Sequence, residues 1–527
     1  MINPRSPALR LSTSLRENPD REKAALFGLG RSVRTAPAEG CVVDRRTFVH
    51  FVLILTILLI AYLAVGPSTN ADDWGLVNAV CPAVLLLATL WIGCKSFITN
   101  PRIIWAPFPW FALKAALNYG FGPLLYFLGS EADIAYANSY WPVSSYDLWR
   151  TNLLNTVSLL TIAVVFLIVD KLLENKQYFD RAVPPEVAGD TDRARTAALV
   201  FLLAGLPLRY GLVLPFEFGA LGFVLPGSLV VLNSLCYLAV FMLSYLGTKR
   251  RGLWRGGFWL LFVMESITHL LTFAKGNLIK VFIMAALGRF MAKRDFKTLV
   301  FSGIATVIFY LAFLSTFTGW ARTEIAHENG GSIFWAPLSL RLSVAARGLG
   351  LWLQGEMAED YVEHRSWLTR QCYTSQQNAA LHLYDAGVVG DSYMFALYGW
   401  IPRYLWPDKP LMLLGQDFNE LTQRARGTYS GPGAFGEAYW NGGWLLVILS
   451  CAYMGVLFAW LSHTALRMMA RSEWLLLPCA FIGIEMGLYL DNWFAPTYIM
   501  GFMFYLLYYL LIRLIFGNAQ TKGGAAP

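Results

Sequence analysis

The stretch FVHFVLILTILLIAYLAV, residues 48–65, contains one histidine and no Asp, Glu, Lys or Arg. Apolar residues fill it without the alternation a half-buried strand would need. Eighteen residues at 1.5 Å each make a helix of about 27 Å, close to the thickness of a bilayer's hydrocarbon core. The same kind of run recurs along the chain, at Trp74–Cys94, Ile103–Leu128, Leu148–Leu173, Thr196–Leu214, Pro226–Leu246, Leu253–Ala274, Asn277–Met291, Phe296–Thr318, Ala434–Leu461, Trp474–Leu490 and Trp493–Phe516. Only Asn277–Met291 is marginal in length. Composition agrees: 56% of the 527 residues are hydrophobic and 14% are charged, against roughly 25% charged in soluble domains. A soluble multidomain enzyme, a disordered chain and a disulfide-stapled secreted scaffold are excluded. The expected fold is all-α, a polytopic membrane protein of about twelve transmembrane helices with one large periplasmic loop containing short helices.

Basic residues orient these runs. Residues 1–47 are polar, rich in Arg and broken by Pro and Gly, and lack a signal-peptide core. Placed in the cytoplasm, this tail makes Lys95, Arg102, Lys171, Arg193, Lys249, Arg250, Arg251, Lys293, Arg467 and Arg471 cytoplasmic as well. The short loops opposite carry Asp72, Asp73, Glu131, Asp133, Asp147, Glu217 and Asp491, with Lys275 their one basic residue. That asymmetry is the positive-inside pattern, so both termini are expected in the cytoplasm. The net charge of +8 then reflects topology and calls for no nucleic acid. The expected division is a tail at 1–47, helices one to nine at 48–318, a large outer loop at 319–433, helices ten to twelve at 434–516 and a second tail at 517–527. The seven cysteines include no CxxC or Cys/His zinc spacing, and only Cys372 lies in a long polar segment.

The 319–433 connection is the densest in polar chemistry and far longer than an ordinary loop. It holds Arg322, Arg341, Arg347, Arg403, Lys409, Arg424 and His382. Guanidinium forks suit phosphate oxygens and stay charged when partly desolvated; the alternative is pairing with the loop's own acids, such as Asp385 and Asp417. Residues 333–356 space Phe334, Leu338, Leu342, Leu349 and Leu353 on a helical period, with Arg341 and Arg347 toward the polar side, which predicts a helix resting at the membrane surface. Lys275-Gly276 opens a helix at a tight outer turn, where exposed N–H groups favour an anion; the competing reading is a lysine snorkelling at the membrane boundary. In the preceding run Glu265 and His269 lie one turn apart, either a packing pair or the lining of a polar cavity. Pro402, Pro407 and Pro410 make the 399–410 segment extended, presenting Arg403 and Lys409 between Trp400 and Trp406, whose rings suit sugar faces or the membrane interface. Glu437 opens the tenth run, where a carboxylate is favoured by the helix dipole and is also a candidate base. Asp72-Asp73 is either a metal-binding pair or a solvated turn.

A dozen runs with one large late outer loop, together with Lys275-Gly276, Pro402-Arg403…Trp406-Pro407-Asp408-Lys409-Pro410 and Gly436-Glu437-Ala438-Tyr439-Trp440-Asn441-Gly442-Gly443, resembles the bacterial Wzy-type O-antigen and exopolysaccharide polymerases. The resemblance implies an inner-membrane glycosyltransferase that joins undecaprenyl-diphosphate-linked oligosaccharide repeat units at the periplasmic face. It implies no cofactor and no metal, with a chain-length regulator as a further partner. On that footing Lys275, Arg322, Arg347, Arg403, Lys409 and Arg424 would bind the diphosphate. His382 or Glu437 would be the base, and Trp400, Trp406 and Trp440 would contact sugars. An O-antigen ligase and a transporter or flippase of the same lipids are the rival expectations; the last needs charges paired deep within the spans.

Overall fold

The computed structural model describes residues 43–66, 71–99, 101–138, 141–174, 190–221, 232–250, 252–293, 295–330, 335–357, 369–399, 414–422 and 431–521, with short pieces at 225, 229, 401, 405–406 and 408–409. All of them belong to one compact unit. Among them are seventeen α-helices of seven residues or more and no strand. In chain order these begin α1 Arg45–Val65, α2 Ala71–Thr99, α3 Pro107–Ala115, α4 Glu131–Ala137, α5 Ser145–Leu173, α6 Asp190–Leu208, α7 Ser234–Lys249, α8 Leu253–Leu271 and α9 Lys275–Lys293. They continue with α10 Phe296–Phe309, α11 Ser315–Glu328, α12 Leu338–Gln354, α13 Thr374–Asp385, α14 Leu414–Leu421, α15 Gly433–Ala470, α16 Leu477–Leu488 and α17 Gly501–Thr521.

Seven stretches are long and apolar enough to cross a bilayer: Arg45–Val65, Trp74–Ile98, Ser145–Leu173, Thr191–Glu217, Phe296–Glu328, Gly433–Ala470 and Ala495–Phe516. The protein is a multi-pass membrane protein. The other expected runs are helical too but differ in kind. Residues 101–128 are broken into a 3-10 turn, α3, a π turn at Ala116–Phe121 and two short pieces. Pro107, Pro109 and Pro123 deny that stretch a regular hydrogen-bond ladder. Helices α8 and α9 have 19 residues each but carry Arg255, Glu265, Lys280 and Arg289. Ser234–Lys249 and Trp474–Leu488 are shorter apolar helices.

Helix α7 is buried without interruption from Leu235 to Gly247. A helix apolar on every side belongs inside a bundle, and α6, α8 and α9 surround it. Gly288 of α9 lies directly against the Phe241 carbonyl and Ser244 of α7, leaving no room for a methyl group. Gly288→Leu is therefore expected to cost about 1–3 kcal/mol, read as a lower melting temperature in detergent. The longest pairing in the structure joins α5 to α15. Gly455 permits it, since a Cβ there would stand 2.8 Å from the Ile162 carbonyl. His463 Nε2 and Asp170 Oδ1, 2.7 Å apart, tie the same two helices farther along.

Three departures concern the long connection. The helix expected to end at Thr318 continues through a π turn at Tyr310–Leu314 and then as α11 to Glu328. The surface helix predicted over 333–356 is observed as α12, with residues 331–334 outside the described set. Its Leu338, Leu342, Leu349 and Leu353 are exposed as expected of a helix lying on lipid. Arg341 is buried rather than on the polar side. Its guanidinium donates to the carbonyls of Ala336 and Leu271, at 2.9 and 3.4 Å, groups that a buried chain end must otherwise leave unpaired. Finally, α15 is interrupted at Gly442–Gly443. Gly443 has φ 57°, a left-handed conformation natural to glycine, and Tyr384 stands 3.0 Å from where a Cβ would be.

Candidate functional site

Helix α13 is sunk into the bundle although one side of it is polar. Thr374, Ser375, Gln377 and Asn378 are all buried, and buried polar groups demand partners. Ser375 Oγ accepts from the Trp141 amide and donates to its carbonyl, both at 2.8 Å. Gln377 and Asn155 of α5 exchange two side-chain hydrogen bonds. Asn378 reaches the Pro142 carbonyl. These bonds fix the register of α13 against the start of α5 and place His382 beside Asp147.

His382 Nε2 is 2.9 Å from Asp147 Oδ1. The carboxylate's other oxygen is held by Ser144, whose amide and hydroxyl donate to it at 3.0 and 2.7 Å, the capping box of α5. Asp147 is thus fixed from one side and orients His382 from the other. With the carboxylate accepting from Nε2–H, the lone pair of the imidazole is on Nδ1. Trp141 stacks on the ring, centroids 5.3 Å apart, and the side chain keeps 35% of its exposure. Arg150 and Asp385 form an ion pair at 2.5 Å in the adjacent turns, and the Tyr439 hydroxyl donates to the same carboxylate at 3.2 Å.

Glu437 and Trp440 lie near this cluster but face inward. Glu437 is fully buried; Ser392 Oγ donates to it at 2.6 Å and the Phe494 amide donates to its second oxygen. The Trp440 indole donates to the Val388 carbonyl at 2.8 Å, and its ring packs edge-on against Phe418. Both hold the first turns of α15 in place, and of the two candidate bases His382 is the one open to solvent.

The expected diphosphate ligands do not gather in one place. Lys275 stands at the start of α9 with its ammonium 5.8 Å from the centre of the Tyr310 ring, and a Cβ on Gly276 would meet nothing within 4 Å. Arg322 Nε donates to the Phe273 carbonyl at 3.0 Å. Phe273 is a buried residue with φ 51°, a conformation costly for a bulky side chain. Arg322 and Arg341 clamp that strained turn from either end. Arg347 is instead bonded to Glu324 at 3.2 Å and to Glu328, and Glu328 holds its guanidinium above the usual range. Lys409 donates to the Gly399 and Ile401 carbonyls at 2.7 and 3.0 Å. Trp406 is exposed and edge-on to Tyr398. Trp400, Arg403 and Arg424 lie outside the described residues.

A second polar cluster is buried among α6, α7, α8, α9 and α16. Arg209, in a π turn that extends α6, is wholly buried. Its Nη1 is 3.2 Å from Glu217, its Nη2 3.4 Å from His269 Nδ1 and its Nε 3.9 Å from Glu265. Glu265 is 3.2 Å from His269 Nε2 and accepts from the Tyr210 hydroxyl at 2.9 Å. The Tyr237 hydroxyl is 3.1 Å from His269 Nε2, and the Tyr237 ring lies 5.8 Å below Lys280. Lys280 completes the chain, donating to Glu485 at 2.6 Å and to the Tyr489 hydroxyl at 2.7 Å.

Arg150, Trp141, Arg209 and Tyr237 were not among the residues the sequence singled out, and Asp147 entered only as an acidic residue of a short loop. The Ser-x-x-Asp spacing at 144–147 marks a helix start, but nothing local couples Asp147 to a histidine 235 positions away. Arg209 is a lone charge inside an apolar run, which is itself a signal. Asp72 and Asp73 stand in the first turn of α2 instead of a loop. Among the described residues no three His, Cys, Asp or Glu form a metal-binding group. Cys372 is buried, which pushes its thiol up and away from reactivity. Comparison of the chain with protein-family models, curated proteins and solved structures found no match.

Proposed function

We propose that the chain is a bacterial inner-membrane polymerase of undecaprenyl-diphosphate-linked oligosaccharide repeat units, working at the periplasmic face. In this reading it has twelve crossings, both termini in the cytoplasm and residues 319–433 outside. The observation that carries it is the His382–Asp147 pair: an accessible imidazole, oriented by a fixed carboxylate and backed by an indole face. Histidine Nδ1 takes the proton of the acceptor sugar's hydroxyl. The freed oxygen bonds to the anomeric carbon of the growing chain, and the bond from that carbon to the lipid diphosphate breaks with its electron pair on the diphosphate. Lys275 and Arg322, at the α8–α9 turn, are the cations assigned to that developing charge. Arg347 leaves the set, being bonded to two glutamates; Lys409 and Arg322 each donate to carbonyls and stay in it. The test is the glycan profile of cells lacking the protein. A ladder of long chains should collapse to single-repeat material, and unchanged long polymer overturns the reading.

A transporter of the same lipids is the second reading, supported by the charges buried between α6, α8, α9 and α16. It predicts movement of the lipid-linked saccharide across proteoliposomes without any new glycosidic bond. Polymer formed by purified protein from lipid-linked repeat units excludes it as the sole activity.

A further inference from the structure

Two bridges join α5 to α13, one turn apart. Asp147 holds His382 at 2.9 Å, and three residues farther along each helix Arg150 holds Asp385 at 2.5 Å. Residues three apart share a helix face, so His382 and Asp385 present their heads on one side of α13. Exposure is divided alike in both bridges. The α5 member is largely covered, Asp147 at 12% and Arg150 at 16%, while the α13 member is open, His382 at 35% and Asp385 at 41%. An imidazole and a carboxylate therefore stand side by side at one opening. The carboxylate is held still: Arg150 donates to Oδ2, and the Tyr439 hydroxyl donates to Oδ1 at 3.2 Å. The guanidinium is itself placed 5.9 Å from the centre of the Tyr146 ring. Two carboxylate oxygens offer about four lone-pair positions, so both can accept again. An ion pair open to water on one side adds little stability; what the anchoring secures is the position of an acceptor beside the base.

We propose that Asp385 is a specificity-determining residue of this site: it accepts a hydrogen bond from the donor on the ring carbon next to the sugar hydroxyl that His382 deprotonates. The role presupposes the polymerase reading. The group recognised is a pair of adjacent ring substituents, one hydroxyl beside a second hydroxyl or an amide N–H. Such neighbours lie about one hydrogen-bond length apart, and the Cβ atoms of residues three apart on a helix are about 5–6 Å apart, so one sugar reaches both heads. Asp385 takes no proton. Its carboxylate fixes the rotation of the acceptor sugar, so that a single hydroxyl faces Nδ1 and becomes the one joined.

The experiment is repeat-unit joining by the full-length protein in detergent micelles, with the source cell's own lipid-linked repeat unit as donor. The acceptors are that unit and analogues lacking, one at a time, each donor group that flanks the glycosylated hydroxyl. In the wild type one analogue should lose about 10–100-fold in kcat/KM, the worth of a hydrogen bond to a charged group. Asp385→Ala should lose about as much with the complete acceptor and should treat that analogue and the complete acceptor alike. A purely structural role would lower both rates together and leave their ratio at the wild-type value. That unchanged ratio overturns the proposal, as does a wild type indifferent to every analogue. Should Asp385→Ala fail to fold, Asp385→Asn decides. It keeps the side chain's shape but replaces an ionic acceptor by a neutral one, so the ratio should fall to about 3–10-fold; an undiminished ratio overturns the proposal. A wild type that joins no repeat units overturns the polymerase reading, and this role with it.

Discussion

Arg209→Met is expected to cost about 3–5 kcal/mol of stability, the usual penalty for leaving a buried ion without its partner. Methionine fills much of the same volume, so the loss comes from charge more than from packing. Glu217, one-third exposed, still has water to turn to; Glu265, at 1%, has none. Thermal unfolding in detergent reads the effect. The double variant Arg209→Met/Glu265→Gln should recover most of the loss, since no charge is then stranded. Equal losses in the single and double variants would show that the guanidinium acts as a spacer, and that the ion pairs around it contribute little.

His382→Ala should lower polymer formation by about 10²–10⁴-fold, the range attributed to a positioned general base, while the protein stays in the membrane at wild-type levels. Side-chain length distribution on cells and repeat-unit joining by purified protein both measure it. Asp147→Asn keeps the shape of the capping box but removes the carboxylate that orients the imidazole. It should reduce activity less than His382→Ala and alter the pH profile on its acidic limb. Full activity in His382→Ala would take the imidazole out of the reaction and leave the pair a structural tie between α5 and α13.

Stretches such as Phe48–Val65 and Leu148–Leu173 were legible because every side chain there faces lipid or core, and both environments select the same residue types. The interruption within 103–128 was less so: the aromatic and aliphatic residues around Pro107 and Pro109 keep the run apolar on average, and such an average takes no note of the hydrogen bonds the prolines remove. Arg341 and Arg347 show a finer limit. They are six residues apart on one helix and read alike, yet one is drawn inward by the carbonyls of Ala336 and Leu271 and the other outward by Glu324 and Glu328. The partners decide, and Leu271, Glu324 and Glu328 lie on other segments. The same holds for Asp385, readable as a partner for the loop's own arginines but found with Arg150 of α5. Glu265 and His269 were recognisable as a pair because they lie one helical turn apart; Arg209, 60 positions from His269, was not.

Torsion at Gly442 and Gly443 would swing the Gly433–Asn441 cap as one piece, while the shaft below stays gripped by α5. The cap carries Glu437, Tyr439 and Trp440, and their bonds to Ser392, Phe494, Asp385 and Val388 are among the latches on this swivel. Such a swing would need those latches to release together, and it would move residues 433–441 without carrying the rest of the helix with them.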